Sequence, residues 1–374
     1  MRSSTLVPRS TRSTRTRGTA LAAGVVLVAT GLAACGSGSG EAAGVETGGA
    51  TGSETGGAAG GAADDAVLTV YSGRTENLIQ PLLDSFAEET GVEVDVRYFD
   101  SADLALLIEQ EGDRSPADVF ISQSPGALGY LNGLGVLTEL DGDVLDLVSE
   151  DFQAADGTWV GLSGRVRTLV YNTDLVTEAD LPGSVFDLTD PAYAGKVALA
   201  PSNGSFQDFV TALRESEGDA PAQEWLGAMA ENGSPAYSGN SAIVQAVAAG
   251  EVPMGLVNHY YNYRQLAEDP ASPTANHFFD AGDIGNLNIV TGVAVVKTTD
   301  DPELSNDFVE YVLGTEAQTF FSEETFEYPL VEGVEPGTDL PAIEDLGIAR
   351  FDLDSLGGGL ERTQELIDEA GLEG

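Results

Sequence analysis

The sequence predicts an α/β protein assembled from parallel strand–helix–strand units and long enough for two domains. Three observations predict it. Short apolar runs alternate with amphipathic ones from residue 67 onward, the order repeats in the middle of the chain, and residues 66–374 suffice for two domains of ordinary size. In order, residues 67–71 read as a strand closed by Ser72-Gly73. Leu78, Leu82, Leu83 and Phe86 then share one helical face, and Thr90-Gly91 ends it. Val92, Val94, Val96 and Tyr98 alternate as a second strand, and a helix is expected over 102–111. After Ser115-Pro116, Val119-Phe120-Ile121 reads as a buried third strand. Further along, 196–200 is expected as a strand leading through a polar loop into a helix at Phe206. Asn240-Ser241 is expected to cap a helix over 242–249. Residues 252–257 form a strand that runs into a helix, and 291–296 form a strand returning to the first domain. No period of 20 to 50 residues is present, which excludes a solenoid. Ligands in such sheets bind at the carboxyl ends of strands, so the loops at 72–76, at 122–124 and beyond Leu199 are candidate site loops.

The first 35 residues read as an address. Arg2, Arg9, Arg12, Arg15 and Arg17 form a basic start, and the apolar stretch 20–34 is too short to span a bilayer as a mature helix. It ends in Leu32-Ala33-Ala34-Cys35, which resembles a bacterial lipobox, with Cys35 as the residue to be acylated. Cys35 is the one cysteine of the chain, so no internal disulfide can form. An acyl group there would tether the protein to the outer face of the cell membrane. Residues 36–65 are almost all Gly, Ala, Ser, Thr and Glu. They read as a flexible linker with a reach of roughly 30 Å.

Charge and composition exclude several functions. The chain has 61 acidic and 16 basic residues, and five of the basic ones precede Cys35. Such a surface argues against nucleic acid and against anionic membrane as partners, leaving the lipid anchor as the sole membrane contact. Most of this charge is what a solvated acidic surface needs, so it does not by itself identify a cationic ligand. No cysteine remains in the body, and His259 and His277 are the only imidazoles. Neither a nucleophile elbow, a Walker A loop nor a dinucleotide fingerprint occurs, and a zinc site of Cys or paired His is excluded. Nothing positive supports an enzyme.

Three constellations remain. Tyr260-Tyr261 stands at a strand-to-helix junction. A phenol titrates near 10, but a strong Lewis acid can displace the proton and bind the phenolate, and a hard trivalent ion prefers anionic oxygen. A tyrosine doublet is also often two packing residues, or a platform for stacking a sugar. Asn203-Gly204-Ser205, at the start of a helix, offers backbone N–H groups to an anion, or simply caps the helix. Arg165 and Arg167 lie where the first domain hands over to the second. They suit bidentate binding of carbonate or phosphate, or hinge salt bridges.

With these residues in place, the body resembles the ferric-ion-binding proteins of bacterial ABC importers, a branch of the type II periplasmic-binding-protein fold. The matching pieces are Val70-Tyr71-Ser72-Gly73, Arg114 to Phe120, Leu162 to Arg165, Pro201 to Phe206, Asn240-Ser241, Gln245-Ala246-Val247, Asn258 with Tyr260-Tyr261, and Glu327 to Leu330. They follow the family's order over about four fifths of the chain. The resemblance implies two lobes of mixed sheet flanked by helices with a hinge between them. Residues 66–165 and 292–339 would form one lobe, and 166–291 and 340–374 the other. It implies Fe³⁺ as the transported ligand, free or as a chelate, bound by Tyr260 and Tyr261. It also implies a synergistic anion, phosphate or carbonate, on Asn203, Gly204 and Ser205, supported by Asn240, Asn258 and Arg165. A monomer working with an ABC permease is the expected assembly.

Two departures stand out. Thr75, followed by Glu76, occupies the place of a family histidine, and Gln123 the place of a family glutamate. Phe206 replaces a third tyrosine that some members carry. Glu76 and Gln123 are therefore the candidate metal ligands from the first lobe, with Glu327 a further one, unless the anion and water fill the gap. The alternatives are the same fold holding a free oxyanion or phosphonate, and a surface interaction protein without a ligand.

Overall fold

A computed structural model of the chain describes residues 66–337 and 340–372. The expected signal segment with Cys35 and the linker over 36–65 lie outside the described residues. The order begins β1 (Val67–Ser72), α1 (Gln80–Thr90), β2 (Glu93–Tyr98), α2 (Ser101–Glu111), β3 (Val119–Ser122), α3 (Pro125–Gly133), β4 (Leu137–Thr138) and α4 (Gly142–Leu145). The middle comprises β5 (Val160–Asn172), β6 (Val197–Ala198), α5 (Gly204–Glu217), α6 (Asp219–Glu231), α7 (Asn240–Ala248), β7 (Met254–Asn258), α8 (His259–Glu268) and β8 (Thr274–His277). The chain ends with β9 (Asn288–Val296), α9 (Pro302–Leu313), α10 (Thr315–Glu323), β10 (Tyr328–Pro329) and α11 (Leu360–Glu369).

The strands follow the order β2-β1-β3-β9-β5-β7-β6, with β4 on β9 and both β8 and β10 on β5. β1 pairs in parallel with β2 and β3, and β6 with β7, as the strand–helix–strand pattern requires. β9 and β5 run antiparallel to their neighbours, which makes the sheet mixed. The outer strand β2 turns Glu93, Asp95 and Arg97 to solvent, and charge on an edge discourages pairing with another chain. Helix α1 stops at Gly91, whose φ of 75° is the left-handed conformation glycine adopts without strain, and its N–H reaches the Ala87 carbonyl at 2.9 Å.

Residues 163–167, where the sequence reading puts a handover between domains, lie within β5, which runs unbroken for 13 residues, all buried. Its partner changes within that run. Val160–Val166 pair with β9, whereas Arg167–Tyr171 pair with β7. Gly161, Gly164, Arg165 and Arg167 break the apolar pattern that marks a central strand. The side chains of Arg165 and Arg167 serve a buried polar layer, which hydrophobic periodicity does not report.

Smaller differences follow from capping. The helix expected over 242–249 begins at Asn240, with Gly239 at its N-cap, and the strand expected over 196–200 is only Val197–Ala198. The core joins both faces of the sheet. Trp159, Leu128, Phe120 and Val293 are buried in it, as are Leu256, Phe206, Phe209 and Trp225. Phe206 thus belongs to the packed interior and sits 6.4 Å from the Trp225 ring.

Candidate metal and anion site

The tyrosine doublet opens α8, and Asn258 precedes it in extended conformation. Neighbouring residues on a helix point about 100° apart, yet at this first turn the two rings stack, centroids 4.1 Å apart and planes 28° apart. Tyr260 is fully buried, and its hydroxyl has no hydrogen-bond partner among the described residues. Burial, followed by the neighbouring Tyr261, pushes its pKa well above the ordinary phenol value, while Arg165 and Arg74 pull the other way. Tyr261 is half-buried and lines a cavity of about 260 Å³ with Thr75, Ser241, Gln245 and Arg264. A buried hydroxyl without a partner costs about 1–3 kcal/mol. Replacing its proton by a cation would recover that cost.

His259, immediately before the doublet, is committed elsewhere. Its Nδ1 accepts from the Val166 N–H at 3.1 Å. Burial pulls it down to about 4, so it is neutral at physiological pH. Among the described residues, no group of three or more His, Cys, Asp or Glu could hold a metal ion. A metal here would depend on the phenol oxygens.

The loop at Asn203, Gly204 and Ser205 is built by one chain of hydrogen bonds. Asn203 is the N-cap of α5, and its Oδ1 accepts from the Ser205 N–H at 3.2 Å and from Asn240 Nδ2 at 3.1 Å. Asn258 Nδ2 donates to Ser205 Oγ at 3.0 Å, and Arg167 Nη1 donates to Asn258 Oδ1 at 3.1 Å. Residues 37 and more positions apart are thereby locked around the start of a 14-residue helix. Asn203, Gly204 and Ser205 line a cavity of about 480 Å³ with Gln123, Ser124 and Asp208.

Two guanidinium groups back this loop from β5. Arg165 donates to the backbone oxygens of Gln123 and of Val290, and its Nε and Nη1 are buried without partners. Arg167 also keeps Nη2 without a partner. Burial pulls the Arg167 pKa down to about 9, with Asp208 opposing the fall, so it remains charged at neutral pH. Among the described residues, these two neighbouring arginines thus carry buried donors without a hydrogen-bond partner, an arrangement that costs free energy.

The two residues expected as further ligands, Gln123 and Glu76, line other hollows than Tyr261 does. Gln123 is held by Gly73 and Ser101: its Nε2 reaches the Gly73 oxygen at 2.5 Å, and its N–H reaches Ser101 Oγ at 3.0 Å. A Cβ on Gly73 would fall 2.0 Å from that hydroxyl, so only glycine permits this approach. Gln123 thus faces the anion-loop cavity. Glu76 is exposed and lines a different hollow with Gln80 and Asp84. Neither residue lines the Tyr261 cavity.

Glu327 is committed too. It forms a buried bidentate pair with Arg74, at 2.5 Å from Nη2 and 2.9 Å from Nη1, and also accepts from Ser163 Oγ. Arg74 Nη1 further donates to Thr291 Oγ1 at 2.7 Å. Burial would raise the Glu327 pKa, but Arg74 overcomes it and holds the carboxyl below its usual value. The preceding Phe326 has a φ of 58°, the one non-glycine residue with positive φ among the described residues. Bulky residues adopt that conformation rarely, and here it sits in the turn that presents Glu327.

Sequence reasoning missed two groups. Arg74 follows a quoted motif directly, and its rarity as a basic residue was the available signal. Asp208 was hidden among 61 acidic residues. It is buried, its Oδ1 accepts from Ser124 Oγ at 2.6 Å, and its Oδ2 has no partner. Burial pushes its pKa up to about 6, with Ser124, Arg165 and Arg167 opposing. The folded value lies above the unfolded one, so the folded state holds the proton more tightly, and its stability falls as pH rises from about 4 to about 6. The loss is on the order of 3 kcal/mol. Asp208→Asn keeps an acceptor for Ser124 and cannot ionise. Thermal unfolding across this pH range is expected to show the fall in the ligand-free wild type and a flatter profile in the variant.

The sequence and fold have clear relatives. Residues 114–355 match the family model described as bacterial extracellular solute-binding protein. The chain is 30% identical over 314 residues to the Fe(3+)-binding periplasmic protein of Serratia marcescens, covering 83% of this chain and 92% of the relative. The crystal structure of iron-bound HitA from Pseudomonas aeruginosa superposes with a TM-score of 0.79 at 31% identity, over 82% of this chain and 99% of that one. The Trichodesmium FutA structure in complex with iron and citrate gives 0.72 at 28% identity, over 82% and 100%. With the mixed sheet, the family match over most of the body and these similarities agreeing, the chain belongs to the bacterial extracellular solute-binding proteins.

Proposed function

We propose that this protein captures ferric iron together with a synergistic anion and delivers it to an ABC permease. Members of its family act outside the cytoplasm as the capture component of a transporter, without catalysis. The iron-binding relatives support the cargo. The observation that carries the reading is the stacked doublet, with the buried, partnerless Tyr260 hydroxyl beside partnerless arginine nitrogens. In this reading Tyr260 and Tyr261 bind Fe³⁺ as phenolates. The anion sits on Asn203, Gly204 and Ser205, with Asn240, Asn258 and Arg165 behind it. Two phenolates leave one positive charge on the ion, and an uncompensated charge in a closed cleft is costly. The anion removes that cost.

Capture proceeds by closure of two lobes about the handover in β5, where strand partners change at Val166 and Arg167. Cys35 carries the acyl anchor, the linker gives the monomeric body its reach, and closure offers the permease a distinct surface. Thermal unfolding with ferric nitrilotriacetate plus phosphate, with phosphate alone, and with neither tests the reading. A ligand at 1,000 times its dissociation constant adds about 4 kcal/mol. The gain with iron plus phosphate is expected to exceed the gain from phosphate alone. An equal gain from phosphate alone would replace this reading with the oxyanion one, and no gain from either would leave a protein without these ligands.

A further inference from the structure

The carboxylate of Asp208 is out of place in an anion cavity. It lies on α5 three residues beyond Ser205, so both face the same side of the helix and both line the 480 Å³ cavity. An ionised carboxylate only accepts hydrogen bonds. Ser124 satisfies Oδ1, and Oδ2 is left buried and empty-handed. Arg165 and Arg167 are close enough to act on Asp208 electrostatically, yet neither forms an ion pair with it among the described residues. Among the described residues, Arg165 Nε and Nη1 and Arg167 Nη2 are thus unpaired donors on side chains within electrostatic reach of one unpaired acceptor. A ligand that completes all of them must both accept and donate.

We propose that Asp208 is a specificity-determining residue that selects a protonated oxyanion, hydrogen phosphate, over an oxyanion without a proton, such as sulfate. This rests on the ferric reading above. Charge alone does not discriminate. Fe³⁺, two phenolates, the guanidinium groups of Arg165 and Arg167 and an ionised Asp208 leave a double positive charge, with the Arg74–Glu327 pair neutral. A dianion of either kind cancels that excess. Hydrogen phosphate offers an O–H to Asp208 Oδ2, a short charge-assisted bond. Sulfate sets its own oxygen against the carboxylate, and both acceptors stay unsatisfied. A buried group built to bond a substrate hydrogen rejects an analogue that lacks it, and one such mismatch at about 1–3 kcal/mol corresponds to roughly 5–150-fold.

The alternative role for Asp208 is purely structural, as the acceptor that ties Ser124 to α5. The test compares wild type, Asp208→Asn and Ser124→Ala at pH 7.5, above the Asp208 titration. Iron affinity is read by chelator competition in phosphate and in sulfate. Wild type is expected to favour phosphate by roughly 5–150-fold. Asp208→Asn, whose amide can donate, is expected to reduce the ratio to about 3-fold or less, while Ser124→Ala keeps it. An unchanged ratio in Asp208→Asn, or a collapse in Ser124→Ala as large as in Asp208→Asn, overturns the proposal. Calorimetry with phosphate and sulfate on iron-free protein separates this from failure of the iron reading. Phosphate preference lost only in Asp208→Asn supports the proposal even if iron does not bind, and equal or absent binding of both anions by the wild type overturns it.

Discussion

Replacing either phenol of the doublet by phenylalanine is expected to lower ferric affinity by about 100-fold or more. Loss of a group that merely supports a metal ligand costs roughly 10–100-fold, and these residues are assigned to the ion itself. Phenylalanine keeps the ring and the 4.1 Å stack but removes the oxygen. The prediction has a second half that separates binding from folding. The Tyr260 hydroxyl has no hydrogen-bond partner among the described residues and its neighbourhood resists ionisation. Tyr260→Phe should therefore leave ligand-free stability unchanged or raise it by up to about 1–3 kcal/mol. Chelator competition measures the first effect and thermal unfolding without iron the second. Undiminished affinity in both single variants would remove the doublet from the site.

Arg74→Met is expected to have the largest effect on stability. Arg74 and Glu327 are both essentially inaccessible to solvent, and the pair joins the loop after β1 to the turn before β10. Removing one partner of a buried pair typically costs about 3–5 kcal/mol, because the other charge is left uncompensated. For a body of this size that is a fall of roughly 5–10 °C in melting temperature. Glu327 would retain Ser163 as a donor, with Arg165 nearby, but would lose both bonds from the guanidinium. The double variant Arg74→Met/Glu327→Leu should recover much of the loss, since apolar replacements of a buried pair are often neutral. Calorimetry of the single and double variants checks this. A double variant as unstable as the single one would show that the packing of these side chains, and not their charge, matters at this position.

The fold was legible where burial follows periodicity. Leu82, Leu83 and Phe86 mark the inner face of α1, and the alternation from Val92 to Tyr98 marks β2. β5 was not, because a strand carrying two buried arginines and two glycines has no apolar signature. The site was legible in its loops. Asn203, Ser205, Asn240 and Asn258 stand at helix starts or strand ends, where small polar residues declare themselves, and the fold joins them in one hydrogen-bond chain. Charged residues that face inward could not be ranked by sequence. Asp208 looks like any of its acidic neighbours until its burial and its empty oxygen are seen. Glu327 likewise gives no sign in the sequence of its buried pair with Arg74. Glu76 invited selection by its place in the chain, but its side chain faces solvent beside Gln80 and Asp84.

All of this depends on two phenols giving up their protons to a hard trivalent ion. The visible absorption spectrum of the wild-type protein with one equivalent of ferric iron tests that most directly. The account predicts a phenolate-to-iron charge-transfer band that persists in Asp208→Asn and disappears in the double variant Tyr260→Phe/Tyr261→Phe. Stoichiometric iron binding without such a band, or a band of full intensity in the double variant, would contradict it.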